Sequence, residues 1–330
     1  MIGKVLLSGV LAFAVLTACC VLYYNLPVHY ICEDGVSDYR WEHHKFYSTW
    51  KEGFAWGRTN NEGYMNSFDY TPKMPVDVLI LGSSHMEARY VAQNKSTAAL
   101  LNEWMPEKTV YNLGLSSHAF LTCASNLEAA LEKYAPADCV METSTLAFSN
   151  QDLQLTINGE LPEVDSRSEG ILALLQSNQY IRLAYKQIAY FFGSLPWEKN
   201  NDAQDAAVPA AEDASSNEEL LGTLLAKMSQ TASDKGARLI ILYHPSTKID
   251  AGGNLVMGEN EGDAGWFAEQ CEENGIVFLD MTERFRTAYE EDFTLPHGFS
   301  NTTVGSGHLN KAGHEMIAQE LYQILTGEVA

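Results

Sequence analysis

Apolar and polar residues run along this chain in two rhythms. Five short runs are apolar at nearly every position: Val78 to Leu81, Thr109 to Gly114, Ala137 to Glu142, Leu239 to Tyr243 and Gly275 to Leu279. Runs of that length, apolar on both faces, suit parallel strands covered by helices on either side. Between them the repeat lengthens to that of a helix. Leu127, Ala130, Leu131 and Tyr134 form one stripe, Ile317, Leu321, Ile324 and Leu325 another, and Pro136 stops the first. The alternation predicts a doubly wound α/β fold, a three-layer α/β/α sandwich around a mostly parallel sheet of about five strands. Ligands bind such sheets at the carboxyl ends of the strands, where Gly82 to Ser84, Gly114 and Glu142 to Ser144 fall.

The pattern is different at the front. From Val5 to Tyr24 the chain is apolar apart from Ser8 and Thr17, and about 20 such residues span a bilayer as a helix. Lys4 lies on one flank and Glu33, Asp34 and Asp38 lie beyond the other. Residues 1–25 are therefore expected to be a signal anchor, a single transmembrane helix with the body outside the cytoplasm. A second reading stays open. Leu16-Thr17-Ala18-Cys19 has the shape of a lipobox, which would make the chain a lipoprotein anchored at Cys19. Residues 26–75, rich in Tyr, Trp, Asn and Gly, read as an extracytoplasmic stalk that packs on the body, and residues 76–330 as the main domain. Within it, 198–219 is rich in Ala, Asp, Asn and Ser and is expected to be a disordered acidic insert.

Charge narrows the partners. Forty-three acidic residues against 21 basic ones give a formal net charge of −22, a surface expected to repel nucleic acid and anionic lipid. Of six cysteines, Cys19 and Cys20 lie in the apolar front, while Cys32, Cys123, Cys139 and Cys271 are scattered without metal-type spacing. No metal and no cofactor is expected, since no Gly-rich loop suggests a nucleotide either.

Two segments carry candidate chemistry. In Gly82-Ser83-Ser84 a serine follows a parallel strand and opens a helix, so backbone N–H groups surround its hydroxyl and can hold an oxyanion. The same position suits a helix N-cap serine. In Gly307-His308-Leu309-Asn310 a histidine precedes the last helix, where it can reach a strand tip and accept the serine proton. It also suits a capping or surface histidine.

Together these blocks resemble the SGNH/GDSL hydrolase superfamily over residues 76–330, most of all its membrane-anchored members that act on cell-envelope polymers. The resemblance implies Ser84 as nucleophile, His308 as general base, and the N–H groups of Ser84 and Gly114 as the oxyanion hole. Two blocks depart from the pattern. The aspartate three residues before the histidine is Gly305 here, leaving a Ser–His pair or another acid, with Glu142 and Asp280 as candidates. The Gly-x-Asn-Asp block is absent, and Thr143 or Ser144 is the candidate replacement donor. Ser83, His118 and His244 are expected to line the substrate cleft. His85 is expected to point away from Ser84, and His314 to lie too far along its helix to act as base. The implied function is that of an extracytoplasmic serine-dependent acyl esterase or O-acyltransferase. Its expected substrates are acylated glycans or small esters, and a membrane acyl-transfer partner is among its expected partners. The alternative is an inactive protein of the same fold that binds envelope glycan or a membrane partner.

Overall fold

The computed structural model describes residues 2–23, 25–50, 52–160, 214–258 and 263–327. The chain enters through helix α1 (Ile2–Tyr23), whose Val5, Leu6, Leu7, Val10 and Leu11 are exposed. Among the described residues, no helix is long and apolar enough to cross a membrane.

Two antiparallel pairs follow: β1 (His29–Ile31) with β2 (Tyr39–Trp41), and β3 (Phe46–Thr49) with β4 (Ala55–Arg58). Their aromatic residues work as core. Trp41, Tyr47 and Tyr64 are buried in the same cluster as Leu79 and Tyr111 of the body. Polar bonds fix the seam. The hydroxyls of Tyr111 and Tyr134 each donate to Glu62 Oε2 at 2.7 Å, and Lys133 lies 2.7 Å from Glu62 Oε1. Burial pushes the Glu62 carboxyl up, yet these partners outweigh it and hold it below its ordinary value. Residues 26–75 thus share the core of the body, a role that their lack of long periodicity hides.

Five strands make the central sheet: β5 (Val78–Leu81), β6 (Val110–Asn112), β7 (Asp138–Thr143), β8 (Arg238–Tyr243) and β11 (Val277–Asp280). All pairings are parallel, in the order β11-β8-β7-β5-β6. A short hairpin of β9 (Thr247–Ile249) and β10 (Leu255–Met257) follows β8. Every sheet run expected from the sequence forms, β5 at its expected ends and the others with ends moved by at most two residues. Side chains alternate between two cores, as a strand period of two requires. Val78, Ile80, Val140, Ile240 and Leu242 point into one. They pack there against α3 (Thr97–Trp104), α8 (Thr282–Asp292) and α9 (Lys311–Thr326) through Leu101, Phe285, Ile317 and Leu321. Leu79, Cys139, Met141, Leu239 and Ile241 point into the other. They meet α4 (Phe120–Tyr134), α6 (Ala214–Asp234) and α7 (Ala264–Glu273) through Leu127, Leu131, Leu225 and Phe267. The described residues also include α2 (Ser84–Glu87) after β5 and α5 (Asn150–Asn158) after β7. The layers are therefore helix, parallel sheet, helix.

The expected acidic insert is corrected in part. Residues 214–219 start α6, and residues 198–213 lie outside the described residues. Cys32, Cys123, Cys139 and Cys271 are free thiols; Cys123 and Cys139 are buried, and burial pushes both thiols up.

His314 makes the fold sensitive to acid. It is 1% exposed on α9. Its Nδ1 accepts the Thr97 N–H at 3.4 Å and faces the Thr97 hydroxyl at 3.0 Å, at the start of α3. A proton on Nδ1 would meet the positive end of that helix. Burial first, then the neighbouring His244 and His308, lower its pKa from 6.5 to about 3. The unfolded chain therefore binds a proton that the folded chain excludes. Stability is whole above 6.5 and drains as pH falls toward 3, with a slope of about 1.4 kcal/mol per pH unit from this ring. In urea unfolding, the stability gap between the natural chain and His314→Gln should shrink as the pH is lowered from about 7 to about 4. A gap that stays constant with pH would refute the account.

Candidate active site

Ser84 owes its place to close packing at the tip of β5. A Cβ added at Gly82 would lie 2.7 Å from Glu142 Oε2 and 2.7 Å from Met86 Cγ, so only glycine lets the strand turn there. Ser83 is the N-cap of α2 and accepts the His85 N–H at 3.3 Å. Its own N–H donates to Glu142 Oε2 at 2.7 Å. Ser84 is then the first residue of α2, with its N–H outside the helical bonding pattern.

His308 meets it from the other end of the chain. Its Nε2 stands 2.8 Å from Ser84 Oγ, and its Nδ1 stands 2.9 Å from Glu52 Oε1. The second carboxylate oxygen of Glu52 accepts the His308 backbone N–H at 2.9 Å. An ionised carboxylate only accepts, so Nδ1 carries the ring proton and Nε2 offers its lone pair to the Ser84 hydroxyl. Tyr90 covers the imidazole, with ring centroids 4.3 Å apart. The line Ser84–His308–Glu52 is that of a nucleophile, a base and an acid that orients the base.

The acid is therefore neither of the two expected. Glu142 is fully buried and bonds Ser83 and, at 2.9 Å, His244 Nε2. Asp280 is exposed and caps the following turn through the Thr282 N–H and hydroxyl. Glu52 comes instead from the tip of the β3–β4 hairpin, 256 residues before His308. Asn301 clamps that tip, accepting the Gly53 N–H at 2.7 Å and donating to the Trp50 carbonyl at 3.0 Å. Two glycines record the exchange. A Cβ at Gly307 would sit 2.9 Å from Glu52 Oε2, and one at Gly305 would sit 3.0 Å from Ile249 Cγ1 and 3.3 Å from Leu295 Cδ2. The usual position of the acid is thus walled by apolar side chains, and Glu52 occupies the space that Gly307 leaves open.

Other expected site residues stand elsewhere. The Gly114 N–H donates to Asn112 Oδ1 at 2.9 Å, and a Cβ at Gly114 would lie 2.5 Å from the Glu87 nitrogen. Its glycine is required by contact with α2, and its N–H is engaged away from Ser84. Thr143 is buried, and its hydroxyl donates to the Thr145 carbonyl at 2.5 Å; Ser144 is half-buried just past β7. His118 is buried edge-on against Tyr39 rather than lining a cleft. Ser83 and His244 support the strand tips through Glu142, and His314 is held by Thr97. His85 lies closer to the centre than expected, its ring centroid 5.1 Å from that of His308.

No family model and no curated protein matches this chain. Among solved structures, an acetyl xylan esterase aligns at 13% identity and a TM-score of 0.42, covering 76% of this chain and 99% of that one. The psychrotrophic esterase EstA from Pseudoalteromonas sp. aligns at 14% identity and a TM-score of 0.37, covering 76% and 97%. The lipase/acylhydrolase from Enterococcus faecalis aligns at 10% identity and a TM-score of 0.39, covering 77% and 100%.

If Glu52 orients His308, Glu52→Gln should slow labelling of Ser84 by a fluorophosphonate on the order of 10³–10⁴-fold, the scale of an acid-to-amide change in a serine triad. Asp280→Asn should leave the rate unchanged. Equal rates for Glu52→Gln and the natural chain would remove Glu52 from the site.

Proposed function

We propose that this protein is an SGNH-type serine acyl esterase or O-acyltransferase that acts on acylated glycans outside the cytoplasmic membrane. The observation that carries the reading is the unbroken hydrogen-bonded line from Ser84 Oγ through His308 to Glu52. His308 Nε2 takes the hydroxyl proton as Ser84 Oγ attacks an ester carbonyl. The carbonyl oxygen gains the negative charge and faces the Ser84 N–H. Glu52 stabilises the imidazolium. The tetrahedral adduct then collapses, the ester C–O bond breaks, and His308 returns its proton to the leaving alcohol. The acyl-Ser84 ester is resolved in the same two steps by water in an esterase, or by a sugar hydroxyl in a transferase.

Two features support the substrate class and the location. Trp50, Phe54 and Trp56 flank Glu52, are 45–57% exposed, and have successive ring centroids 5.2 Å apart. Flat, exposed aromatic faces at the rim of a serine site offer an apolar platform with polar edges, which suits the ring of a sugar. The exposed apolar side chains of α1 need cover, and a membrane is the cover we propose for them. A membrane-bound acyl donor partner would then meet the site from the same side.

A non-catalytic glycan-binding role draws on Gly114. With its N–H engaged by Asn112, Gly114 is withdrawn from the oxyanion, which keeps the Ser84 N–H, and one lost donor costs about 3–4 kcal/mol, or ~10²–10³ in rate. Slow hydrolysis is what this arrangement leads one to expect. The full chain should turn over 4-nitrophenyl acetate and take a fluorophosphonate label, both abolished in Ser84→Ala. Addition of an acetyl acceptor glycan should raise turnover if transfer is the reaction. Labelling that persists in Ser84→Ala, or no labelling at all, would favour the binding role.

A further inference from the structure

Three histidines that the sequence holds far apart meet beneath the serine. One ring nitrogen from each of His85, His244 and His297 lies within 4.8 Å of the other two. His85 follows Ser84 on α2, His244 ends the exit of β8, and His297 precedes the loop that carries His308. His244 and His297 are 0% and 1% exposed, and His244 Nδ1 and His297 Nε2 have no hydrogen-bond partner.

Their tautomers follow from their neighbours. His244 Nε2 faces the Glu142 carboxylate, which only accepts, so the proton is on Nε2 and Nδ1 is a bare lone pair. His297 Nδ1 lies 2.9 Å from the Thr247 hydroxyl, whose own proton goes to the Gly305 carbonyl at 2.6 Å. His297 Nδ1 therefore donates, and Nε2 is a second bare lone pair. Two unprotonated nitrogens are thus buried with nothing to receive, an arrangement that is costly if left unmet. Each is also backed on its far nitrogen by a carboxylate or hydroxyl, the support that metal-binding imidazoles have. His85 adds a third ring. Its Nδ1 contact with the Leu309 N–H is 3.3 Å, at the weak edge of hydrogen-bond range and easily given up.

We propose that His85, His244 and His297 form a site for a divalent transition-metal ion of the zinc class. It pins the start of α2, the exit of β8 and the loop before α9, the three segments around Ser84 and His308. Bonds of about 2.0–2.1 Å to a tetrahedral ion place nitrogens about 3.4 Å apart. From nitrogens within 4.8 Å of one another, the rings need close by no more than about 1.4 Å, and one coordination position stays open. Among the described residues the ligand set is three neutral imidazoles, with neither a thiolate nor a carboxylate among the ligand atoms, which suits zinc or cobalt over magnesium or calcium. The site stands independently of the esterase reading, because none of its ligands is placed in the proton relay.

Cobalt chloride titrated into the metal-stripped full chain provides the test. The expected result is the intense visible absorption of tetrahedral cobalt, saturating at a single site and displaced by zinc, with a rise in thermal midpoint on loading. The band should vanish in His297→Ala and in His244→Ala. Glu142→Gln should weaken cobalt binding by about 10–100-fold while retaining the band at saturation, which keeps the test decisive if a histidine variant fails to fold. Absence of a band in the natural chain, or a band of unchanged affinity in Glu142→Gln and His297→Ala, would overturn the site.

Discussion

The contact between Glu52 and His308 organises the rest of this molecule. A carboxylate that accepts both the ring N–H and the backbone N–H of one residue fixes that residue in position and in rotation at once. It also ties a hairpin near the front of the chain to a loop near its end. Several local choices follow from that tie. Gly307 has no side chain because a carboxylate stands where one would be, Asn301 spans the gap to Gly53 and Trp50, and a Cβ at Gly53 would meet the Phe299 ring at 2.4 Å. The aromatic residues of the N-terminal segment, buried beside Tyr111 and Tyr134, keep the hairpin seated at the distance the contact needs.

Much of the sheet was legible in the sequence because its signal is local. Strands buried on both faces are apolar at most consecutive positions, and the runs of β5, β6, β7 and β8 declare themselves that way, as does that of the half-buried edge strand β11. Ser84 and His308 were legible for a related reason. Each stands at a fixed place relative to an element, one just past a strand and one just before a helix, and periodicity locates both elements. Glu52 has no such marker. It sits on a two-stranded hairpin too short to show a period, and its meaning comes only from a partner distant in sequence. A glutamate at a turn is ordinarily a solvated charge. The one available hint was negative: Gly305 and Gly307 show where an acid is missing and where one has room to enter.

The same limit explains the errors at the strand tips. Gly114 and Glu142 occupy the places where oxyanion donors and acids gather in such sheets, and both are engaged in bracing. Glu142 spends its oxygens on Ser83 and His244, and Gly114 its N–H on Asn112. Position along a strand identifies which residues stand at the mouth of the sheet. It does not identify which of their bonds are already spoken for, because that depends on neighbours brought in by other strands.

The placement of Glu52 also has a bearing on assembly. Ser84 is made early, just past the first strand of the sheet, whereas His308 arrives only with the loop before α9. Glu52 emerges before either and must wait for both. A serine without its base is an ordinary alcohol, so a growing or broken chain carries an inert hydroxyl however well its sheet has formed. On the proposed reading, the character of the Ser84 hydroxyl depends on a circuit closed between residues 224 positions apart, so it is a property of the folded molecule rather than of the sheet alone.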